Sequence, residues 1–318
     1  MSRRVTLGLD TSNYTTSLAI LDVSGELVAN LKCPLRVKEG ERGLRQSDAL
    51  FAHTVNLPEL MKRAAEYLSD SEIVAIGVSE KPRNAEGSYM PCFLAGVSAA
   101  EGMALAAKTP IYRFSHQCGH IMAALYSSGA YHLLGREFAA FHISGGTTEL
   151  VRVNPCDNGF ATELLGGTLD LNAGQVIDRV GVAMGLAFPA GAQMEKLALE
   201  NDKKIPKRKV SISGMSVNVS GLENLALKLY SESCDKSLTS AFVFDYISNA
   251  IILMSEAYEE KYGKTEFVYA GGVMSNSIIK KALGERFTAY FAEPVLSADN
   301  AVGIAELARR RYLGERDA

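Results

Sequence analysis

The 318-residue chain contains no tryptophan, only five histidines and five cysteines, and no CxxC pair. Cys33, Cys92, Cys118, Cys156 and Cys234 are odd in number and widely spaced. That spacing excludes a disulfide framework and predicts reduced thiols, as in a cytoplasm. No apolar run reads as long enough to span a bilayer. Met1-Ser2-Arg3-Arg4 leads straight into an apolar strand with no small-residue cleavage site, so no signal peptide is expected. Neither charge sign dominates, and the formal net charge is −3. A protein that grips nucleic acid unaided is usually basic. Any RNA contact is therefore expected to use a local patch or partner subunits. No low-complexity segment interrupts the chain, and its length suggests two domains of ordinary size.

What the chain does contain is a pair of histidines four residues apart, in Ser115-His116-Gln117-Cys118-Gly119-His120. On a helix this spacing places both imidazoles on one face, one turn apart. Two such rings can ligate one divalent metal. The alternative is a buried helix whose histidines are satisfied by hydrogen bonds. A zinc protease would carry Glu directly after the first His as general base. Gln117 stands there instead and cannot take a proton from water.

Strand, small polar turn and returning strand occur twice. Val5–Leu9, the turn Asp10–Thr16 and Ser17–Leu21 form the first set. Phe138–Ile143, the turn Ser144-Gly145-Gly146-Thr147-Thr148 and Glu149–Val153 form the second. A third strand is expected at Leu27–Leu35 and others at Ile73–Ser79 and Ile111–Phe114. Helices are expected at Asn56–Leu68, Phe93–Lys108, His116–Tyr126, Thr239–Lys261 and Ala301–Tyr312. Ala95, Ala99 and Gly102-Met103 are expected to bring the Phe93 helix close to a neighbour. Turns of Gly, Ser and Thr let backbone N–H groups approach an anion. Two of them, one in each half, suggest a phosphate held between two lobes. A third, Gly271-Gly272-Val273-Met274-Ser275-Asn276 after the strand Phe267–Ala270, suits the base or sugar of a nucleotide. Asn201–Arg208, polar and basic, reads as a solvated loop.

The ordered set of motifs resembles the actin-like ATPase superfamily (the ASKHA fold) and, within it, the TsaD family, long labelled glycoprotease. The set comprises Gly8-Leu9-Asp10-Thr11-Ser12, His116-x-x-x-His120 and Ile143-Ser144-Gly145-Gly146-Thr147. It continues with Thr168-Leu169-Asp170 through Gly174 to Asp178, then Gly185 through Pro189-Ala190-Gly191. Ser213-Gly214, Ala270-Gly271-Gly272-Val273 through Asn276, and Asp299-Asn300 complete it. The resemblance covers nearly the whole chain. It implies an α/β fold of two lobes, with mixed sheets flanked by helices and a cleft between them. The lobes are expected at residues 1–110 and 111–318, the second holding the metal and nucleotide site and the final helix packing back on the first.

The family's activity is transfer of a threonylcarbamoyl group from its adenylate to a tRNA adenosine beside the anticodon. The resemblance implies one divalent metal, iron or zinc, held by His116, His120 and Asp299. Two His and one carboxylate leave open positions for substrate. His142 lies two residues before Ser144, on the same side of a strand, and is a candidate fourth ligand. Asp10 and Ser12 are the candidate catalytic residues. An adenine nucleotide (ATP, AMP or the acyl-adenylate), with magnesium as an accompanying ion, is expected at Ser144, Gly145, Gly146 and Thr147. Gly174, Gly191 and Gly272 would permit close backbone approach. Asp178 would accept from ribose hydroxyls and Asn276 would read the adenine edge. The implied partners are the nucleotide and tRNA, the latter with partner subunits, in a homo- or heterodimer and without a membrane. A cytoplasmic location is expected.

The chain departs from the family where carboxylates are usual. Tyr14 and Thr15 replace an acidic pair in the first loop, and Cys118 replaces a Glu between the histidines. Leu171 follows Asp170 in place of an acid, and Gln175 stands for Glu. The Pro189-Ala190-Gly191-Ala192 loop is only partly kept. The expected protein is thus a divergent paralogue, a threonylcarbamoyl or carbamoyl transferase. The alternatives are a metal- and nucleotide-binding scaffold or regulator, then a superfamily ATPase or kinase with Asp10 as its only first-loop base. A metallopeptidase comes last.

Overall fold

The structure, a computed structural model, describes residues 2–12, 14–36, 44–156, 159–297 and 299–314. The chain divides into two compact units. The first comprises residues 1–137, 154–161 and 295–318; the second comprises 138–153 and 162–294.

The first unit is built on five strands: β1 (Arg3–Ser12), β2 (Thr15–Asp22), β3 (Leu27–Pro34), β4 (Ser71–Lys81) and β5 (Ile111–Ser115). Their order in the sheet is β3-β2-β1-β4-β5. β1 runs antiparallel to β2 and parallel to β4. Side chains alternate across the sheet. Leu18 and Ile20 of β2 join the core under α1 (Gln46–Leu68) and α2 (Phe93–Ala107). Ala19 and Leu21 join the opposite core with α3 (His116–Ser128) and the chain's last helix. The unit passes residue 110 because β5 pairs in parallel with β4 and α3 follows it directly.

The second unit repeats the plan with β6 (Phe138–Ile143), β7 (Thr148–Cys156), β8 (Gly159–Gly167), β11 (Phe267–Ala270) and β12 (Ala289–Phe291). Its sheet order is β12-β11-β6-β7-β8. β6 is antiparallel to β7 and parallel to β11, as β1 is to β2 and β4. Strands β9 (Ser211–Ser213) and β10 (Ser216–Asn218) form a small separate hairpin. The helices are α4 (Ala173–Ala183), α5 (Gly191–Leu199), α6 (Ser220–Ser233), α7 (Lys236–Tyr262) and α8 (Ser277–Gly284). Short α9 (Pro294–Ser297) and α10 (Val302–Leu313) return to the first unit.

Several expectations need correction. The first hairpin has no seven-residue turn. The ladder runs through Asp10↔Ser17, Thr11↔Thr16 and Ser12↔Thr15. Asp10, Thr11 and Thr16 stay in strand because the interior supplies partners for their side chains. Thr11 Oγ1 donates to Cys92 O at 3.1 Å and accepts from Gly96 N at 3.1 Å. The same contact shows that α2 approaches β1 at Gly96; a side chain at Gly102 would meet nothing nearby. Asn13, at the hairpin tip, lies outside the described residues. Helix α1 begins ten residues earlier than expected, because its buried face reads Ala49, His53, Leu57, Leu60, Ala64. A buried His in that stripe hides the apolar period. One helix among the described residues, α7, is long and apolar enough to cross a membrane, contrary to the expectation from runs of sequence. Its most apolar window is 78% buried in the protein, in the core of the second unit. The five cysteines form no disulfide.

Candidate functional site: a histidine pair with two carboxylates

The first site lies wholly within the first unit, at the carboxyl ends of β1, β4 and β5. Open α/β sheets commonly place ligands there. Helix α3 starts directly after β5, with Ser115 as its cap. The Ser115 hydroxyl accepts from Cys118 N at 3.2 Å, and Gly129 ends the helix with φ 69°. His116 and His120 therefore occupy the first two turns, with Nε2 atoms 3.0 Å apart. Asp299 Oδ1 lies 3.7 Å from His116 Nε2 and 3.5 Å from His120 Nε2.

A close helix crossing brings Asp299 there. A Cβ on Gly303 of α10 would collide with the Gly119 carbonyl of α3, so only glycine allows this contact. Ile304, fully buried, packs where a Gly119 side chain would be. Asn300 fixes the segment before α10. Its Nδ2 donates to Leu296 O at 2.7 Å and its Oδ1 accepts from Val302 N at 2.9 Å.

Asp10 meets the cluster from below. Its Oδ2 is 2.7 Å from His116 Nδ1 and its Oδ1 accepts from Ser12 N at 2.9 Å. Burial works against its charge, yet the His116 ring beside it holds the carboxyl below its usual value. Burial likewise opposes protonation of His116, but Asp10 and then Asp299 raise it to about 9. His120 moves the other way, lowered by burial and by the charge on His116. Lys32 donates to Val295 O at 2.9 Å. Burial lowers its pKa, and Asp299 partly offsets that.

The three donors suit a divalent metal. Ligand bonds of about 2.0–2.1 Å at tetrahedral angles separate neighbouring donors by roughly 3.3 Å. The observed separations, 3.0 to 3.7 Å, bracket that value. His116, His120 and Asp299 form the metal-competent cluster found among the described residues. Cys118 is 2% exposed and points elsewhere. Its Sγ accepts from Asn84 Nδ2 at 3.3 Å and lies 3.6 Å from Phe160 O. Burial pushes its thiol up to about 11, which suits an inert core thiol. Ser12 is buried, and its Oγ finds no partner among the described residues.

The second site lies wholly within the second unit. Ser144–Thr147 closes the β6–β7 hairpin, with Ser144 N donating to Thr147 O at 2.8 Å. Gly145 and Gly146 are exposed. The N-terminus of α4 abuts this turn. Asn172 Nδ2 donates to Gly146 O at 3.0 Å, and Ala173 N to Thr148 Oγ1 at 3.0 Å. Gly174 packs against Ser144 and Gly145. A helix start beside a glycine turn is suited to an anion. Gly271 has φ +98°, and a Cβ there would strike the Ile143 carbonyl. Glycine thus seats the Gly271–Asn276 turn beside Ser144–Thr147. Gly272 is exposed there.

Other expected nucleotide residues already have structural duties. Asp178 Oδ1 accepts from Ala190 N at 2.8 Å, which ties α4 to the residue before Gly191. Burial raises its carboxyl, partly offset by that N–H. Asn276 is 6% exposed. Its Oδ1 caps α8, accepting from Ile278 N and Ile279 N at 3.1 Å. That side-chain oxygen is therefore committed to the helix cap. His142, the expected fourth ligand, lies on β6 with Glu149 and Ala270 as strand partners. The three-residue cluster is drawn entirely from the first unit.

Sequence reading missed His53 and the partner of Asp10. His53 is fully buried and its Nδ1 is 2.8 Å from Thr16 Oγ1. Burial lowers its pKa, partly offset by the Ser12 backbone, Asp10 and Asp299. A polar residue in register with α1's apolar stripe was the signal for it. Gln175 keeps a job that Glu would share, since its Oε1 accepts from Asn172 N at 3.1 Å as in a capping box.

Two sheets of one strand plan, each beginning with a hairpin, define the actin-like ATPase class. Solved structures agree on the fold. A 2-hydroxyisocaproyl-CoA dehydratase activator from Clostridium difficile with bound ADPNP superposes with a TM-score of 0.55 at 15% identity, covering 98% of this chain and 96% of that one. A ROK family glucokinase from Streptomyces griseus gives 0.52 at 14% identity, covering 96% and 99%. The family described as tRNA N6-adenosine threonylcarbamoyltransferase, TsaD, matches residues 37–306. A protein of that name from Thermus thermophilus is 33% identical over 318 residues, 96% of this chain and 92% of the relative. Another from Neorickettsia sennetsu is 26% identical over 324 residues, 98% and 94%. The chain belongs to the TsaD family.

Proposed function

We propose that this protein is a metal-dependent threonylcarbamoyl or carbamoyl transferase of the TsaD type, moving the group from an acyl-adenylate to a tRNA adenosine or a related acceptor. The observation that carries this reading is the convergence of His116, His120 and Asp299 in a chain matched to the family across 37–306. The two Nε2 atoms and Asp299 Oδ1 would hold the ion. A divalent iron or zinc ion there supplies Lewis-acid polarisation of a substrate oxygen. In the second unit, the Ser144–Thr147 turn beside the start of α4 would contact phosphate, with magnesium accompanying it. Gly191 and Gly272 would admit the nucleotide close to the backbone, whereas Gly174, Asp178 and Asn276 support the site through packing, the tie to Ala190 and the α8 cap. In the transfer, the acceptor amine bonds to the carbamoyl carbon. The bond from that carbon to the phosphate oxygen breaks, AMP departs and the amine proton passes to water.

The acceptor fits a local patch. Lys204, Lys207, Arg208 and Lys209 are exposed, while Ile205 packs on the core and Val210 is buried. Pinned cations of this kind bind phosphates electrostatically, here on a chain of net charge −3. A non-catalytic scaffold or regulator, alone or as one subunit of a dimer, is favoured by one observation. The first hairpin tip carries Tyr14, 43% exposed, and Thr15 where the family has its acidic pair.

The test is incubation with threonine, bicarbonate, ATP, an adenylate-forming enzyme and unmodified tRNA, followed by nucleoside analysis. Threonylcarbamoyl-adenosine is expected. No product from protein that still binds adenine nucleotide would sink the transferase reading in favour of the scaffold.

A further inference from the structure

We propose that Asp10 is a positioning residue: the outer carboxylate that fixes the His116 ring for metal binding, and not a base that meets substrate. This inference rests on reading His116, His120 and Asp299 as the metal ligands.

Three observations carry it. First, Asp10 is fully buried, on a strand position paired with Ser17, so a substrate proton has no route to it. Second, both carboxylate oxygens are engaged. Oδ2 takes His116 Nδ1 at 2.7 Å and Oδ1 takes Ser12 N at 2.9 Å. The Asp10 carbonyl is also held, by Ser17 Oγ at 3.2 Å. Both oxygens are therefore committed, one to the far nitrogen of the His116 ring and one to its own strand. Third, an imidazole that donates through Nδ1 presents its Nε2 lone pair, and this Nε2 is the atom facing His120 and Asp299. A carboxylate behind a ligating histidine fixes the tautomer and ring orientation and raises the basicity of the donor. The strand would thus act on a metal held by His116 through the ring alone. This also accounts for the buried hairpin. Of the residues that sequence alone would place in a substrate loop, Ser12 and Ser17 hold Asp10, and Asp10 holds His116.

The test is titration of metal-free full-length protein with Co2+, followed by its visible absorption, with Zn2+ as competitor. Wild type, Asp10→Asn, Asp10→Ala and His116→Ala are compared. Wild type is expected to bind one equivalent. Asp10→Ala should bind about 10- to 100-fold more weakly and with a shifted spectrum. Asp10→Asn, isosteric and still able to accept from Nδ1, should fall between. If Asp10→Ala does not fold, as judged by near-ultraviolet circular dichroism, Asp10→Asn carries the comparison. Wild-type affinity and spectrum in the Asp10 variant that folds overturn the inference while leaving the metal reading intact. A wild type that takes up no metal, or a His116→Ala that binds unchanged, overturns the ligand assignment and this inference with it.

Discussion

His116 and His120 were legible because their chemistry is local: four residues on one helix is a complete geometric statement. Asp299 was not, since its distance from the histidines is set by the Gly303–Gly119 crossing and only family resemblance pointed to it. The Asp10 contact was less legible still. Its carboxylate was visible as a candidate base, but its burial and its bond to a ring on another element arise only on folding. The expected consequence at this scale is direct. His120→Ala leaves two donors, so metal retained after dialysis should fall well below one equivalent by elemental analysis. Removal of a ligand or its outer support typically costs 10-fold or more in affinity. A variant that keeps stoichiometric metal would exclude His120 as a ligand.

At the scale of elements, most strands and the long helices α2, α3, α7 and α10 were readable from apolar pattern. Misreadings occurred where a polar residue sits inside. His53 masks the first half of α1, and Asp10, Thr11 and Ser12 mask the end of β1. The start of α6 is held by contacts that span the sequence. Asp170 illustrates this. Its carboxylate accepts from Val219 N at 2.9 Å and from Ser220 N and Oγ at 3.1 and 2.6 Å, which caps α6 from 50 residues away. Burial would raise its pKa, but these bonds and that from Leu171 N lower it to about 2. The carboxylate's contribution is therefore fully present above its ordinary value near 4 and is lost as pH falls towards 2. Asp170→Ala should destabilise the protein by about 1–2 kcal/mol at pH 7, as for lost helix caps. Urea midpoints of wild type and variant should converge as pH falls from 4 to 2. Midpoints that already coincide at pH 7 would refute the role.

For the whole molecule, the sequence signalled a two-lobed fold through its repeated strand–turn–strand units, and the paired sheet orders explain why that signal was there. The return of the final helix to the first unit was expected, but the assignment of β5, α3 and residues 154–161 to that unit was hidden, because it depends on pairing and packing between elements. A buried ion pair anchors that return. Arg309 Nε and Nη2 donate to Glu306 at 2.7 and 2.9 Å, and Nη1 donates to Val23 O at 3.0 Å. Tyr131 Oη also donates to Glu306, at 3.2 Å. Glu306 is fully buried and Arg309 is 7% exposed. Arg309→Ala leaves the buried carboxylate without its counter-ion and with only the Tyr131 hydroxyl still donating to it, at a cost of about 3–5 kcal/mol, whereas replacing both partners with apolar residues should cost far less. Chemical unfolding of the single and double variants checks this. Equal losses would show that the pair itself, and not the orphaned charge, sets the stability.

The late position of Asp299 and α10 also has a consequence in time. A ribosome adds about 5–20 residues per second, so the histidines are made on the order of ten seconds or more before their carboxylate partner. During that interval the nascent chain has the two rings and Asp10 but neither the third donor nor the helix that closes over Gly119. The second unit, whose segments all precede residue 295, is complete first. The His116, His120 and Asp299 cluster is therefore assembled at the end of synthesis, and a chain cut short before α10 carries the second unit without that three-residue cluster.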